Sequence, residues 1–203
     1  MKQLFAMLLM FAAFTTAKAQ FSFNVSAGPN YSGAKYHAVP NAQTTARWGY
    51  FVGFAPAFKF NRLLSVSLES QLSTKGHFLN NVTPRYENRY TYVDIIPEVA
   101  LKVVKHVEIG LGVNYGLRLG EEQRVDEGRW HSTKSLGITK PYDLGATANV
   151  KVSWHNFYGV VRYNHGLMNV SDLLYTDETG QLVSGAGFSN TNLQFGLGYT
   201  LRL

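Results

Sequence analysis

The chain has 203 residues, a formal net charge of +6 and an aromatic content of 14%, and it contains no cysteine. Disulfide bonds and thiol catalysis are therefore excluded, and the length fits one domain. The charge falls from +6 to +4 when Lys2 and Lys18 are left out, and no basic run concentrates the remainder, so nucleic-acid binding is not indicated.

The first segment has the pattern of a secretory signal peptide. Lys2 gives a positive start, residues 4–14 are almost wholly apolar, and Ala-Lys-Ala at 17–19 is a small-x-small cleavage site. The apolar run is shorter than the about 20 residues that a membrane-spanning helix needs. We therefore expect residues 1–19 to be cleaved and residues 20–203 to form one exported domain.

Eight segments of the mature chain alternate apolar and polar residues with a period of two, which is typical of strands with one apolar face. In chain order they are Phe21–Tyr31, Trp48–Phe60, Leu64–Lys75, Tyr90–Lys102, Val107–Leu119, Tyr142–Trp154, Phe157–Leu167 and Asn192–Leu203. Each has about 10 to 13 residues. A tilted strand crosses a bilayer with roughly 9–11 residues, whereas strands of soluble domains have about 5–6.

The connections between these segments alternate in length. The short ones are 61–62, 104–106 and 155–156, and the long polar ones are 32–47, 76–89, 120–140 and 168–191. Short periplasmic turns and long extracellular loops are the rule for transmembrane barrels. The sequence therefore predicts an all-β, eight-stranded antiparallel up-and-down transmembrane β-barrel in a Gram-negative outer membrane, with both ends of the barrel domain on the periplasmic side.

Alternation alone does not decide whether the apolar face contacts lipid or fills the core of a soluble barrel such as a lipocalin. Three features favour lipid: the polar face is rich in small residues that suit a narrow lumen, aromatic residues collect near both strand ends, and the polar face carries charges of both signs that can pair. The alternative is that this face is a solvated exterior. The predicted lumen charge network consists of Glu69, Asp94, Glu98, Lys102, Glu108, Arg118, Asp143, Lys151, Arg162 and Arg202.

Arg162 is predicted to lie on the inward face of the seventh strand, beside an outward Tyr163. A guanidinium in a narrow lumen must be paired, because an unpaired buried charge is far too costly. Its candidate partners are Glu69, Asp94, Glu98 and Asp143.

Two prolines interrupt the pattern of alternation. Pro56 and Pro97 fall inside predicted strands. Neither can donate a hydrogen bond to a neighbouring strand, so a bulge or local twist is expected at each.

Four short motifs occur in order along the mature chain. They are residues 64–76, which begin Leu-Ser-Val-Ser-Leu-Glu; residues 92–102, which begin Tyr-Val-Asp-Ile-Ile-Pro; Asp-Leu-Gly at 143–145; and Arg-Tyr-Asn-His-Gly-Leu at 162–167 with Asn169 after it. Together they resemble the PorT-type outer-membrane β-barrel family of Bacteroidetes, although one extra residue separates Asp94 from Pro97. The resemblance implies a barrel fold, similar to small outer-membrane barrels such as OmpA and OmpX, and an outer-membrane location. It implies no activity.

The motifs of known outer-membrane enzymes are missing from the sequence. No histidine is followed two positions later by serine, the spacing that lipid A deacylases require. There is no HExxH motif, phosphate loop or acidic calcium loop. Inward carboxylates such as Glu69 and Asp94 could imitate a catalytic pair, but structural ion pairs are far commoner. We therefore expect no enzymatic activity, no cofactor and no metal site.

Three functions stay open, in this order of preference. The first is a structural, adhesive or partner-binding barrel whose long loops contact an unknown extracellular or envelope protein. The second is a narrow channel or a transport or secretion accessory, and the third is a membrane-embedded enzyme. Outer-membrane lipid and, during insertion, the barrel-assembly machinery are the other expected partners.

Overall fold

The structure is a computed structural model, and it describes residues 20–39, 43–80, 84–171, 180–183 and 185–202. The predicted signal peptide at 1–19 lies outside the described residues. The long strands are β1 (Gln20–His37), β2 (Thr44–Lys59), β3 (Leu64–Leu79), β4 (Tyr86–Val104) and β5 (Val107–Val125), followed after a short β6 (His131–Ser132) and a 3-10 turn (Lys134–Leu136) by β7 (Tyr142–Trp154), β8 (Phe157–Gly166) and β9 (Gly187–Arg202).

The eight long strands close into an antiparallel ring. Each pairs with the next long strand along the chain, and β9 pairs with β1 to complete the circle, for instance at Tyr31↔Leu193. The two-residue β6 pairs with the outer part of β5. Closure leaves no long strand as an unpaired edge, which a sheet in lipid requires. The predicted fold class is confirmed.

Exposure of the side chains shows which face meets the membrane. Leu111 and Leu197, on the apolar face, are 63% and 79% exposed, whereas Asp94 and Gln194, on the polar face, are fully buried. A soluble barrel would show the opposite arrangement. The prediction that the apolar face points outward is therefore confirmed, and the lumen is the polar side.

The strands extend further on the loop side than the sequence predicts. β7 has the predicted bounds, but β1 continues to His37, β3 to Leu79 and β5 to Val125. The predicted strand ends lie where the apolar face stops. Beyond that point no lipid selects apolar residues, yet backbone pairing continues, so the barrel wall projects past the membrane as an ordered rim at the long-loop end. We call it the extracellular rim, because the predicted topology places the long loops outside the cell.

Aromatic side chains lie on the outer surface near both ends of the strands. Tyr31 and Trp48 contact each other across β1 and β2 with ring centroids 4.9 Å apart, on the loop side. Trp154 and Phe157 flank the short turn between β7 and β8 and are 70% and 61% exposed. Such rings belong at the headgroup level of a bilayer.

A bulge or local twist is expected at Pro56 and at Pro97, and the ladders show no bulge at either. At Pro56 the β2–β3 ladder skips two residues on each strand and resumes in the same register, and at Pro97 the β4–β5 ladder does likewise. A missing donor requires the local hydrogen bond to be absent, but it does not require an inserted residue. The register shifts of these two ladders lie elsewhere, at Ala46/Phe51, Thr91/Tyr92 and Lys102/Val104.

Candidate functional site

The inward side chains of β3 pass through the successive layers that fill the lumen. Ser65 and Ser67 line an open vestibule at the short-turn end, which is the periplasmic end in the predicted topology. Residues 69–75 contribute Glu, Gln, Ser and Lys to a buried polar network. His77, fully buried, belongs to an aromatic cluster at the extracellular end.

Arg162 on β8 is the centre of the lower part of the network. Its Nη1 donates to Oε1 of Glu69 over 3.1 Å, and its Nη2 donates to the other oxygen of the same carboxylate. Nη1 also donates to Oε1 of Gln71 over 3.1 Å, and Nη2 lies 3.8 Å from Oε2 of Glu98. Because both Arg162 and Glu69 are buried, this is a bidentate ion pair shielded from water.

Lys75 on β3 is the centre of the upper part. Its ammonium lies 2.9 Å from Oδ1 of Asp94 and 3.3 Å from Oδ2 of Asp143. Oδ2 of Asp94 accepts hydrogen bonds from the Ser73 hydroxyl over 2.5 Å and from Nε2 of Gln71 over 3.4 Å. Gln71 therefore contacts both Arg162 and Asp94 and joins the two parts into one network.

The lumen at this level is filled by side chains. The cavity beside Glu69 and Arg162 has a volume of about 10 Å³. A single water molecule needs a cavity of about 10–15 Å³, so a hydrated ion does not fit. The network therefore closes the barrel as well as stabilising it.

Aromatic rings form a second closure at the extracellular end. Tyr36, His77 and Tyr90 come from three strands and surround Phe188 of β9, with ring centroids 5.2, 5.2 and 6.3 Å from its ring. Val170, also fully buried, packs on this cluster, and its backbone N–H donates to the carbonyl of Phe188 over 2.8 Å. Residues 167–171, directly after β8, thus pack against the ring cluster at this end of the barrel.

The outer wall of the extracellular rim carries a group of arginines around one tryptophan. The guanidinium carbons of Arg89, Arg124 and Arg47 lie 4.1, 4.8 and 6.0 Å from the ring centroid of Trp130. Glu87 accepts hydrogen bonds from Arg47 and Arg124. Cation–π contacts and ion pairs together hold the segment before β6 against β4 and β5.

The structure divides the ten predicted lumen charges into three places. The buried network contains Glu69, Asp94, Glu98, Asp143 and Arg162. The periplasmic vestibule is lined by Lys102, Glu108, Lys151 and Arg202, and also by Glu98. Arg118 lies apart, at the outer end of β5, where it pairs with Glu121 and donates to Thr139.

Two groups were not anticipated from the sequence. The sequence predicts Lys75 as the last residue of the third strand and indicates no role for it, although it follows Glu69 at an even spacing and so shares its inward face. The cluster around Phe188 lies outside the predicted strands except for Tyr90, the first residue of the predicted fourth strand, and no alternation of apolar residues marks it. Alternation could have identified Lys75, but nothing local could have placed Phe188 beside His77, 111 positions earlier in the chain (188 − 77).

Within the described ranges, no group of three or more His, Cys, Asp or Glu side chains is placed to hold a metal ion. No described helix is long and apolar enough to cross a membrane. The prediction that the protein is not an enzyme stays a prediction.

Comparison with known proteins identifies the type of barrel. No family model matches the chain, and no curated protein does. Among solved structures, Neisserial surface protein A superimposes with a TM-score of 0.51 at 14% identity, covering 87% of this chain and 96% of that one. The Ail protein of Yersinia pestis gives 0.50 at 13% identity, with 89% and 98% covered. The chain has the fold of a small outer-membrane β-barrel. At these identities the likeness of this barrel to its neighbours shows the fold alone.

Proposed function

We propose that this outer-membrane barrel is a closed, non-enzymatic protein that binds a partner at its extracellular end. The observation that carries the proposal is the filled lumen: a bidentate Arg162–Glu69 pair, with about 10 Å³ of space beside it, lies below the Lys75 layer and the ring cluster around Phe188. A barrel closed at two levels offers no path for solutes. The protein then acts through contacts of its surface with other molecules.

The extracellular rim supports a binding role. The strands continue past the membrane, and Trp130 is fixed between arginines rather than carried on a loop without contacts. Preorganised aromatic and arginine side chains are the groups that most often dominate protein interfaces. The two neighbours described above are known as an attachment invasion protein and a surface protein, which agrees with such a role without assigning it.

The family, the export route and the host envelope belong to the same proposal. We propose that the chain is a PorT-type barrel of a Gram-negative envelope, exported through a cleaved segment at 1–19. The four motifs described above support the family, and the filled lumen speaks against the channel alternative. Mass spectrometry of protein purified from outer membranes tests the cleavage, because a mature chain beginning at Gln20 is expected.

Planar-bilayer recording tests the closed lumen. Purified wild-type protein should give no steady conductance above background, because both the buried network and the ring cluster around Phe188 must open before an ion passes. A large, stable single-channel step would reject the proposal and favour the channel alternative. The comparison variant carries Glu69→Ala and Arg162→Ala together, which empties the lower part of the network. Any conductance of this variant shows how far the Lys75 part and the ring cluster around Phe188 close the lumen without it.

Site-specific photo-crosslinking in intact cells tests partner binding. Leu136 and Leu182, on the extracellular side, are 68% and 65% exposed, and Leu63 in a periplasmic turn is 63% exposed, so the three positions are matched in exposure. We expect a discrete protein adduct from Leu136 or Leu182 and a different pattern from Leu63. Adducts from Leu63 alone would place the partner in the periplasm and contradict the proposal.

A further inference from the structure

The periplasmic end of the barrel contains a wide polar vestibule that the closed lumen leaves unexplained. Its volume is about 550 Å³. Its inner limit is Glu98, which is already bonded to Asn149 and lies 3.8 Å from Arg162. The vestibule therefore opens to the periplasm and ends at the buried network.

Positive charge dominates the wall of this vestibule. Lys102 and Lys151 are the direct cross-strand neighbours of Glu108, one on each side. Lys59 on β2 lines the same vestibule, and Glu108, Lys102, Lys151 and Arg202 interact with it electrostatically. The lining as a whole contains two carboxylates, Glu98 and Glu108, and five cations, which leaves an excess of three positive charges (5 − 2): the cations are Lys59, Lys102, Lys105, Lys151 and Arg202.

These cations have few partners among the described residues. No salt bridge is formed there by Lys59, Lys102, Lys151 or Arg202; Arg202 donates to the carbonyl of His155 over 3.0 Å, and Lys151 lies 5.1 Å from the ring centroid of Tyr158. Like charges gathered at one end of a narrow barrel repel each other. Anything that brings negative charge into the vestibule relieves this repulsion.

The rest of the lining indicates what kind of anion fits. Hydroxyl or amide side chains of Ser22, Asn24, Ser65, Ser67, Ser153 and Thr200 stand between the charges. Hydroxyl and ammonium donors match the many oxygens of a phosphate, and lysine binds phosphate as a point charge without fixed geometry. A single carboxylate would neutralise only one of three excess charges. Lysines that merely anchor a barrel at lipid headgroups would lie on its outer wall, whereas these line its interior.

We propose that this vestibule is a binding site for a small, soluble, multiply charged phosphate anion with the charge and size of diphosphate, taken up from the periplasm. The positive charge comes from Lys59, Lys102 and Lys151. Arg202 lies at the periplasmic edge of the vestibule, and Glu108 limits the affinity because its charge repels an anion. The site is independent of whatever the extracellular rim binds, so failure of one proposal leaves the other standing.

The test is calorimetric titration of the whole barrel in phosphatidylcholine nanodiscs with pyrophosphate at low salt. We expect one site per barrel whose affinity falls steeply as salt is added, because the interaction is between exposed charges. Lys102→Gln and Lys151→Gln should each weaken binding by about tenfold, and Glu108→Gln should strengthen it by about the same factor, as expected for unit charges several ångströms away at intermediate dielectric. Lys35→Gln, at the extracellular end of β1, is the matched control and should change nothing.

The variants separate a binding site from a structural role. Heat-modified gel mobility identifies any variant that does not fold. Glu108→Gln keeps all the cations, so its affinity for pyrophosphate still tests the proposal if a lysine variant misfolds. Affinity that is equal in wild type, Lys102→Gln and Glu108→Gln would overturn the proposal. So would equal affinity for succinate. Loss of pyrophosphate binding in nanodiscs containing phosphatidylglycerol would assign the site to a lipid headgroup and overturn a soluble ligand.

Discussion

Replacing Arg162 by alanine tests the buried network most directly. The change removes the cation that bonds both oxygens of Glu69 and lies 3.8 Å from Glu98, and it leaves these two carboxylates buried without it. Breaking a buried pair by deleting one partner costs about 3–5 kcal/mol. With a urea dependence of about 2 kcal/mol per molar, the unfolding midpoint should fall by about 1.5–2.5 M. Arg162→Lys should cost less, because an ammonium keeps the charge but cannot bond bidentately.

Urea unfolding of the barrel refolded in detergent or lipid measures these midpoints. Arg202→Ala is the matched control: it also removes a guanidinium, but an exposed one at the periplasmic end of the barrel, and should cost under about 1 kcal/mol. Combining Arg162→Met with Glu69→Gln should recover part of the loss, because neither side then carries a charge. An unfolding midpoint of Arg162→Ala equal to that of wild type would refute the reasoning, since it would mean that Glu69 and Glu98 are not confined as the contacts indicate.

Three further predictions concern the upper layer, the lipid face and the topology. Lys75→Met removes the cation shared by two aspartates and should destabilise the barrel by about 3–5 kcal/mol in the same urea assay. Leu111→Arg, on the lipid face, should cost roughly 2–4 kcal/mol if the site lies near the midplane, and unchanged insertion and gel mobility would mean that the facing is inverted. A tag inserted near Gly128 or Gly180 should be reachable by antibody on intact cells, whereas one at Asn61 should not, and equal labelling at all three would contradict the topology.

Most of the fold follows from the sequence because lipid imposes a strict alternation. The bounds of β7 were predicted to the residue, since its apolar face begins at the membrane surface and ends at a tight turn. The outer ends of β1, β3 and β5 were not, because that selection ends with the bilayer while hydrogen bonding goes on. Local sequence contains no mark for this boundary.

The candidate site was predictable by face but not by partner. Alternation places Glu69, Asp94 and Arg162 inside, and the need to pair Arg162 is a general one. Which carboxylate meets it depends on the shear of the closed ring, which no single strand encodes. Arg118 shows that alternation does not name the partner even at short range. Its partner Glu121 lies three residues away on the same strand, at a spacing that alternation assigns to opposite faces.

The sequence separation of the lumen pairs has a consequence for how this barrel assembles. Arg162 and Glu69 are 93 positions apart, and Lys75 and Asp143 are 68 apart. Each pair joins the early hairpins to the late ones, so neither exists until both halves of the chain have met. A half-inserted sheet would hold Glu69 and Asp143 in an apolar medium without their cations, which lipid strongly disfavours. Such distant contacts make folding slow. Membrane insertion and ring closure should therefore occur together as one cooperative event.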